Sequence, residues 1–281
     1  MQSSHRMGYR GLNKMIALPP GTLLQLMYLR ERIHKIPPGE FIEIGPGSGE
    51  ITRLLLNLGW SGFSYDLEEK TITALQERFS KEIEQQRLTP INADFITANL
   101  DKKVDLVISC MVMEHLDNDA QNDFMNSAEN HLKSDGIMIT LVPSSPAHWG
   151  IEDDIAGHYR RYTQQSIEAL LSFNHWKLLH IAGLTFPLSN LLLPLSNFLV
   201  HKNERSKLSL SSQDRTKLSG RRKVKFKTYF PSIFGFLLNE TSLFPIYLLQ
   251  KLFVKSERAL VLYFEAKPIS APESVENDRN S

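Results

Sequence analysis

Apolar positions along this chain fall into two periods. In "GTLLQLMYLRERIHKI" (21–36) they recur at helical spacing and stop at Pro37-Pro38-Gly39, which predicts a helix with a hard end. Beyond it, short apolar runs alternate with amphipathic stretches. "EFIEIGPGSGEITRLLLNLGW" reads as a strand, a glycine-rich turn and a helix, and "SGFSYDLEEKTITALQERF" repeats strand then helix. "LTPINAD" (88–94) predicts a third strand, and "KVDLVISCMV" (103–112) is the continuous run expected of a strand buried on both faces. A helix over about 118–132, a strand over 136–145 and a helix over 163–173 follow, with the last strands at 176–184 and 259–267. Strands alternating with helices predict an α/β fold, a doubly wound, mostly parallel sheet with helices on both faces. Ligands of such sheets bind beyond the carboxyl ends of the strands.

Composition narrows this only in places. Apolar residues make up 42% and charged residues 22% of 281 positions, which fits a chain with a real core. The net charge of +1 excludes nothing, but its distribution is uneven. Between His201 and Lys227, ten Lys/Arg stand against two Asp/Glu, a local +8 against −7 elsewhere. That asymmetry points to an anionic surface. A single cysteine, Cys110, forbids an intrachain disulfide and fits a reducing, cytoplasmic setting. "MQSSHRMGYRGLNKM" has no apolar core and is not read as a signal peptide. No run reaches the ~18 apolar residues of a membrane span. The nearest, 183–200, is interrupted by two prolines, two serines and two asparagines.

The residues just after each strand carry the chemistry. Gly45, Gly47 and Gly49 allow close backbone approach at a helix start. Their G-x-G-x-G spacing is neither a dinucleotide fingerprint nor a phosphate loop. Glu43 and Glu50 place negative charge there, which suits a ligand with a cationic end. Asp66 follows the second strand and can accept both hydroxyls of a ribose. Asp94 and Phe95 follow the third and offer a carboxylate and a ring face for adenine, and "SCMVMEHL" follows the fourth.

With these landmarks in order, the chain resembles the class I S-adenosylmethionine-dependent methyltransferases over Glu40 to about Gly183 plus the last strand. The resemblance implies a Rossmann-like methyltransferase fold with seven strands, and S-adenosylmethionine as cofactor with S-adenosylhomocysteine as product. It implies cofactor-binding roles for Glu43, Gly45, Gly47, Gly49, Asp66, Leu67, Asp94, Phe95 and Cys110. "HWGIEDDIAGHYRRYT" is similar to a loop of the type 11 and type 12 methyltransferase domains. There Tyr159, Arg160, Arg161 and Tyr162 are expected to receive the acceptor, and His158, Asp154 and His115 are candidate bases. The competing reading pairs Arg160 and Arg161 with Asp153 and Asp154, which would only pin the loop. No closely spaced metal-ligand set is read from the sequence, and the expectation is no metal.

The expected organisation is an N-terminal helical segment (1–39), a methyltransferase domain (40–183 plus 258–267), a helical insertion (184–257) and a disordered tail (268–281). The insertion reads apolar, basic, apolar, as a lid, as an element lying on an anionic membrane surface, or as both. Nucleic acid is a poor fit, because the basic run has few aromatics for stacking. The expected reaction is methyl transfer to the oxygen of a small-molecule or lipid-linked acceptor. The alternative is a non-catalytic partner or regulatory protein that binds the same cofactor.

Overall fold

The computed structural model describes residues 16–98, 102–204 and 230–269. Its strands, in chain order, are β1 (Ile16–Ala17), β2 (Glu40–Ile44), β3 (Ser61–Asp66), β4 (Leu88–Asn92), β5 (Val104–Cys110), β6 (Leu132–Pro143), β7 (Trp176–Leu184), β8 (Phe230–Pro231) and β9 (Val261–Pro268). The helices are α1 (Pro20–Ile33), α2 (Glu50–Asn57), α3 (Glu69–Arg78), α4 (Ser80–Glu84), α5 (Asn118–His131), α6 (Ile151–Ala156), α7 (Gln164–Phe173), α8 (Leu188–Glu204) and α9 (Glu240–Leu252).

Seven strands form one sheet in the order β4-β3-β2-β5-β6-β9-β7. The first five of these pair in parallel, while β9 runs antiparallel to both β6 and β7. The expected α/β sheet is therefore present. Side-chain alternation splits the core in two. Leu106, Ile108, Ile139, Leu141 and Tyr263 face one side, under α1, α2, α3 and α9. Their neighbours Val107, Met138, Val142, Leu262 and Phe264 face the other, under α5 and α7. Both faces are covered, which is why the central strands read as unbroken apolar runs.

Three local features depart from the sequence expectation. β6 starts at Leu132 rather than 136, because Leu132 pairs with Val104 across an irregular step. The stretch after β6, read as a loop, contains the short helix α6, whose first turn carries Glu152, Asp153 and Asp154. β1 and β8 pair in a separate two-stranded ribbon. Both are two residues long, too short to leave a periodic signal.

The insertion leaves from β7 and returns to β9, which are hydrogen-bonded neighbours. Its described part holds α8, a 3-10 turn at Ser232–Phe236 and α9. Of the basic segment 201–227, residues 205–227 lie outside the described residues, as do 1–15 of the N-terminal segment and 270–281 of the tail. No helix among the described residues is long and apolar enough to cross a membrane.

Helix α9 is clamped to α1 by charge. Glu31 accepts from the Tyr247 hydroxyl at 2.5 Å and from Lys251 at 2.8 Å, and Arg30 reaches Glu240 at 2.6 Å. Helix α1 is tied to the sheet by Arg32, which grips Glu265 through Nε at 2.6 Å and a terminal nitrogen at 2.8 Å. Burial would raise the Glu265 carboxyl, but the Arg32 fork and the Tyr263 hydroxyl hold it below its ordinary value. A depressed carboxylate stabilises the fold above its unfolded-state pKa, and that contribution is lost as pH falls through the folded value. The midpoint of thermal unfolding is accordingly expected to drop below about pH 4.5. Arg32→Met should cost about 3 kcal/mol at pH 7 by urea unfolding and should flatten that acid dependence.

Candidate active site

The carboxyl edge of β2 turns into Gly45-Pro46-Gly47-Ser48-Gly49 and then α2. Gly45 has φ +68°, and a Cβ there would sit 2.7 Å from a Val112 methyl. Gly49 has φ +79°, and a Cβ there would meet the Phe79 ring at 2.7 Å. Neither position tolerates a side chain. Gly45 and Gly47 line a cleft, while Gly49 lets α2 pack against Phe79.

The two glutamates beside this turn differ. Glu43 is buried and accepts from Thr52 Oγ1 at 2.5 Å and Ser64 Oγ at 3.2 Å. Burial pushes its carboxyl up to about 7. Glu50 is ion-paired with Arg78 at 3.3 Å, so its charge is neutralised within the fold instead of being left for a ligand. Asp66, Leu67, Asp94, Phe95 and Cys110 all line the same cleft. Asp66 accepts from the Glu68 amide at 2.8 Å, and Asp94 from the Ile96 amide at 2.9 Å, so each also shapes its own turn. Phe95 departs from the expected open ring face. It is only 3% exposed, and its ring meets Tyr65 and Phe124 edge-on in the core. Burial pushes the Cys110 thiol up to about 12, which keeps it protonated.

The opposite wall is apolar and comes from α1, α8 and α9, including Leu26, Leu192, Leu195, Leu243 and Ile246. The cavity between the walls measures about 1330 Å³. Ligand pockets commonly span about 300–1,000 Å³, so this one has room for a cofactor and a second molecule.

The loop after β6 forms the third wall and is organised by Asp153. Its carboxylate accepts from Gly150 N at 2.9 Å, His158 Nδ1 at 2.9 Å and Arg161 Nε at 2.8 Å. Burial would raise this group, but the His158 and Arg161 hydrogen bonds hold it at about 2. Arg161 also donates to the Ser144 carbonyl. Arg160 binds Asn118 Oδ1 at 2.7 Å and the Leu116 carbonyl at 3.2 Å. The Tyr162 hydroxyl donates to the Met113 carbonyl at 3.0 Å, and Tyr159 is 55% exposed. Of the four residues expected to grip the acceptor, only Arg161 reaches the cleft, and its guanidinium is engaged by Asp153. Asp154 is exposed and accepts from Trp149 Nε1, away from the other candidate bases.

His158 and His115 do reach the cleft, with ring centroids 4.8 Å apart. Burial and the neighbouring His158 push His115 down to about 4. Sequence reasoning missed the residue beside them, Glu114. Its carboxyl is fully buried, with no hydrogen-bond partner on either oxygen. Burial, and after it the Asp153 charge, push it up to about 8. Glu114 directly precedes His115, but His158 is far along the chain, so only the fold shows the cluster.

A glycine turn after the first sheet strand, acids after the next two, and an antiparallel final pair define the class I methyltransferase fold. The chain belongs to the methyltransferase domain family, whose model matches residues 23–181. S-adenosylmethionine is the cofactor this membership implies. Among solved structures, the chain is similar to the glycopeptide N-methyltransferase MtfA complexed with (S)-adenosyl-L-methionine. Identity is 14%, 87% of each chain is covered, and the TM-score is 0.52. MtfA complexed with sinefungin gives 13% identity, 90% of this chain and 88% of that one, and a TM-score of 0.52. At these identities the likeness shows the fold alone. No curated protein matches the sequence.

The Asp153 hub makes a direct prediction. Asp153→Ala leaves the Arg161 guanidinium buried without its carboxylate, and should cost about 3 kcal/mol by urea unfolding. Trypsin should then cut at Arg160 or Arg161 faster than in the parent, as read by mass spectrometry of early fragments.

Proposed function

We propose that the protein transfers the methyl group of S-adenosylmethionine to the oxygen of a lipid or lipid-linked acceptor at a membrane surface. The observation that carries this reading is the single cavity that joins the glycine turn to the apolar wall of α8 and α9. The outer surface of the same helices supports it. Leu191, Phe198, Phe244 and Leu252 are between 51% and 79% exposed. In sequence they flank the +8 segment, as apolar helices lying on anionic headgroups would.

In this reading Glu43 and the glycine turn hold the aminoacyl end of the cofactor. Asp66 holds the ribose hydroxyls, with Leu67 at the rim, and Asp94 takes the adenine amino group. The leaving thioether is neutral, so no acid is needed to expel it. In the transfer the C–S bond would break with its electron pair left on sulfur as the C–O bond forms, the acceptor hydroxyl's proton would pass to a cleft-wall imidazole, His115 or His158, and in-line positioning would supply much of the acceleration. The loop of Asp153 and Arg161 closes the cleft against water as a rigid wall, and Arg160 and Tyr162 act by holding that wall.

Four outcomes test this. Methyl-labelled cofactor incubated with protein and cell extract should place label in the organic phase, and label confined to the aqueous phase would reassign the insertion as a lid over a polar acceptor. Asp66→Ala should weaken cofactor binding about tenfold to a hundredfold by calorimetry, with little change in thermal stability. A cofactor ammonium beside Glu43 lowers its pKa, so binding near pH 7 should release about half a proton, and Glu43→Gln should abolish the release. Calorimetry in buffers of different ionisation enthalpy reads that number. Reversing Arg221, Arg222 and Lys223 to Glu should eliminate sedimentation with anionic vesicles, and a parent protein that never sediments would remove the membrane reading.

A further inference from the structure

Glu114, His115 and His158 each present one ligand atom, and these atoms lie within 4.8 Å of one another. All three residues line the cleft. Neither oxygen of Glu114 has a hydrogen-bond partner, although the side chain is fully buried. His115 Nδ1 is likewise buried and without a partner. Buried polar atoms are ordinarily satisfied, so three unsatisfied ones on two adjoining residues of this cluster call for an occupant. The His158 ring is already aimed. Its Nδ1 bonds to Asp153 at 2.9 Å, which turns Nε2 toward Glu114 at 3.9 Å. Asp153 is in turn fixed by Arg161 and the Gly150 amide. A carboxylate that binds one imidazole nitrogen and presents the other is the outer support found behind metal-bound histidines.

We propose that Glu114, His115 and His158 form a three-ligand site for a divalent transition-metal ion on the cleft wall. Two imidazoles and one carboxylate suit zinc, iron, cobalt or nickel, whereas magnesium and calcium favour oxygen ligands. Ligand bonds of about 2.0–2.2 Å require the three atoms to close in slightly around the ion. Three protein ligands leave a coordination position facing the cavity. The role assigned to that position rests on the methyl-transfer reading above: it takes the acceptor oxygen and orients it toward the cofactor methyl. His158 is then a ligand in place of the base expected from the sequence. The site also replaces the expectation of no metal.

The experiment uses the full chain, stripped with chelator and titrated with Co²⁺, followed by visible absorption and elemental analysis. One Co²⁺ per chain is expected, with d–d bands that Zn²⁺ displaces. Glu114→Gln and His158→Gln should each weaken binding about tenfold or more, while Asp154→Asn, outside the cluster, should not. His115→Asn serves as a third cluster variant should either of the first two fail to fold. Cofactor binding is measured calorimetrically on the same samples. A parent that binds S-adenosylmethionine but no stoichiometric metal overturns this inference alone, and assigns the bare Glu114 carboxyl to the acceptor. Metal bound equally by the cluster variants overturns it too. Metal bound by the parent and lost in the variants, without cofactor binding, upholds the site and sinks the methyl-transfer reading.

Discussion

Everything at the ligand edge depends on one topological constraint, the placement of β2 beside β5. The chain leaves β2 toward the helices of one face and leaves β5 toward those of the other. Two divergent crossovers open a crevice at the strand ends. The glycine turn occupies one lip and the turn carrying Glu114 and His115 the other. Val112 and Gly45 meet across it so closely that even a methyl on the glycine would collide. Both halves of the site, cofactor cradle and histidine cluster, inherit their spacing from that contact.

The edge is further shaped by charges that the fold keeps out of water. Asp153 is an anion because three donors surround it, and it lends its order to Arg161 and His158. Glu114 is buried without the His158, Arg161 and Gly150 donors that surround Asp153, and it goes up where Asp153 goes down. Two carboxylic acids from neighbouring turns thus differ in state through the hydrogen bonds and charges set around each. The aromatic and basic run after α6 is explained by the first of them. Four of its five bulky polar residues, His158, Arg160, Arg161 and Tyr162, anchor the loop on Asp153, Asn118, Ser144 and Met113, so it stands as a wall without a regular helix or strand.

The sheet was legible because its strands obey a local rule. Residues such as Leu106, Val107 and Ile108 are apolar in succession only where both faces are covered. That the proposed cofactor residues share one cleft was legible for a related reason, since each sits at a fixed offset from a strand end. What stayed hidden depends on partners distant in sequence. Arg160 and Tyr162 looked like acceptor grips because nothing local reveals Asn118 or Gln121 beneath them. Phe95 looked like a platform until Tyr65 and Phe124 closed on its ring. Helix α6 was obscured by its length, as six residues yield no period. The clamp between α1 and α9 joins positions more than two hundred residues apart, which no pattern along the chain can signal.

The antiparallel pair β7–β9 has a consequence for how such a protein changes over time. The insertion departs at Leu184 and re-enters at Val261, and those two residues are register partners. Its ends are therefore held together by the sheet, whatever lies between them, and lengthening a loop whose ends are already fixed adds little free energy. The segment is an insert carried by that strand pair. Under the proposed methyl transfer, grafting a different segment between the same two residues would replace the apolar wall of the cleft while leaving the glycine turn in place. It makes this junction the natural place to redesign selectivity.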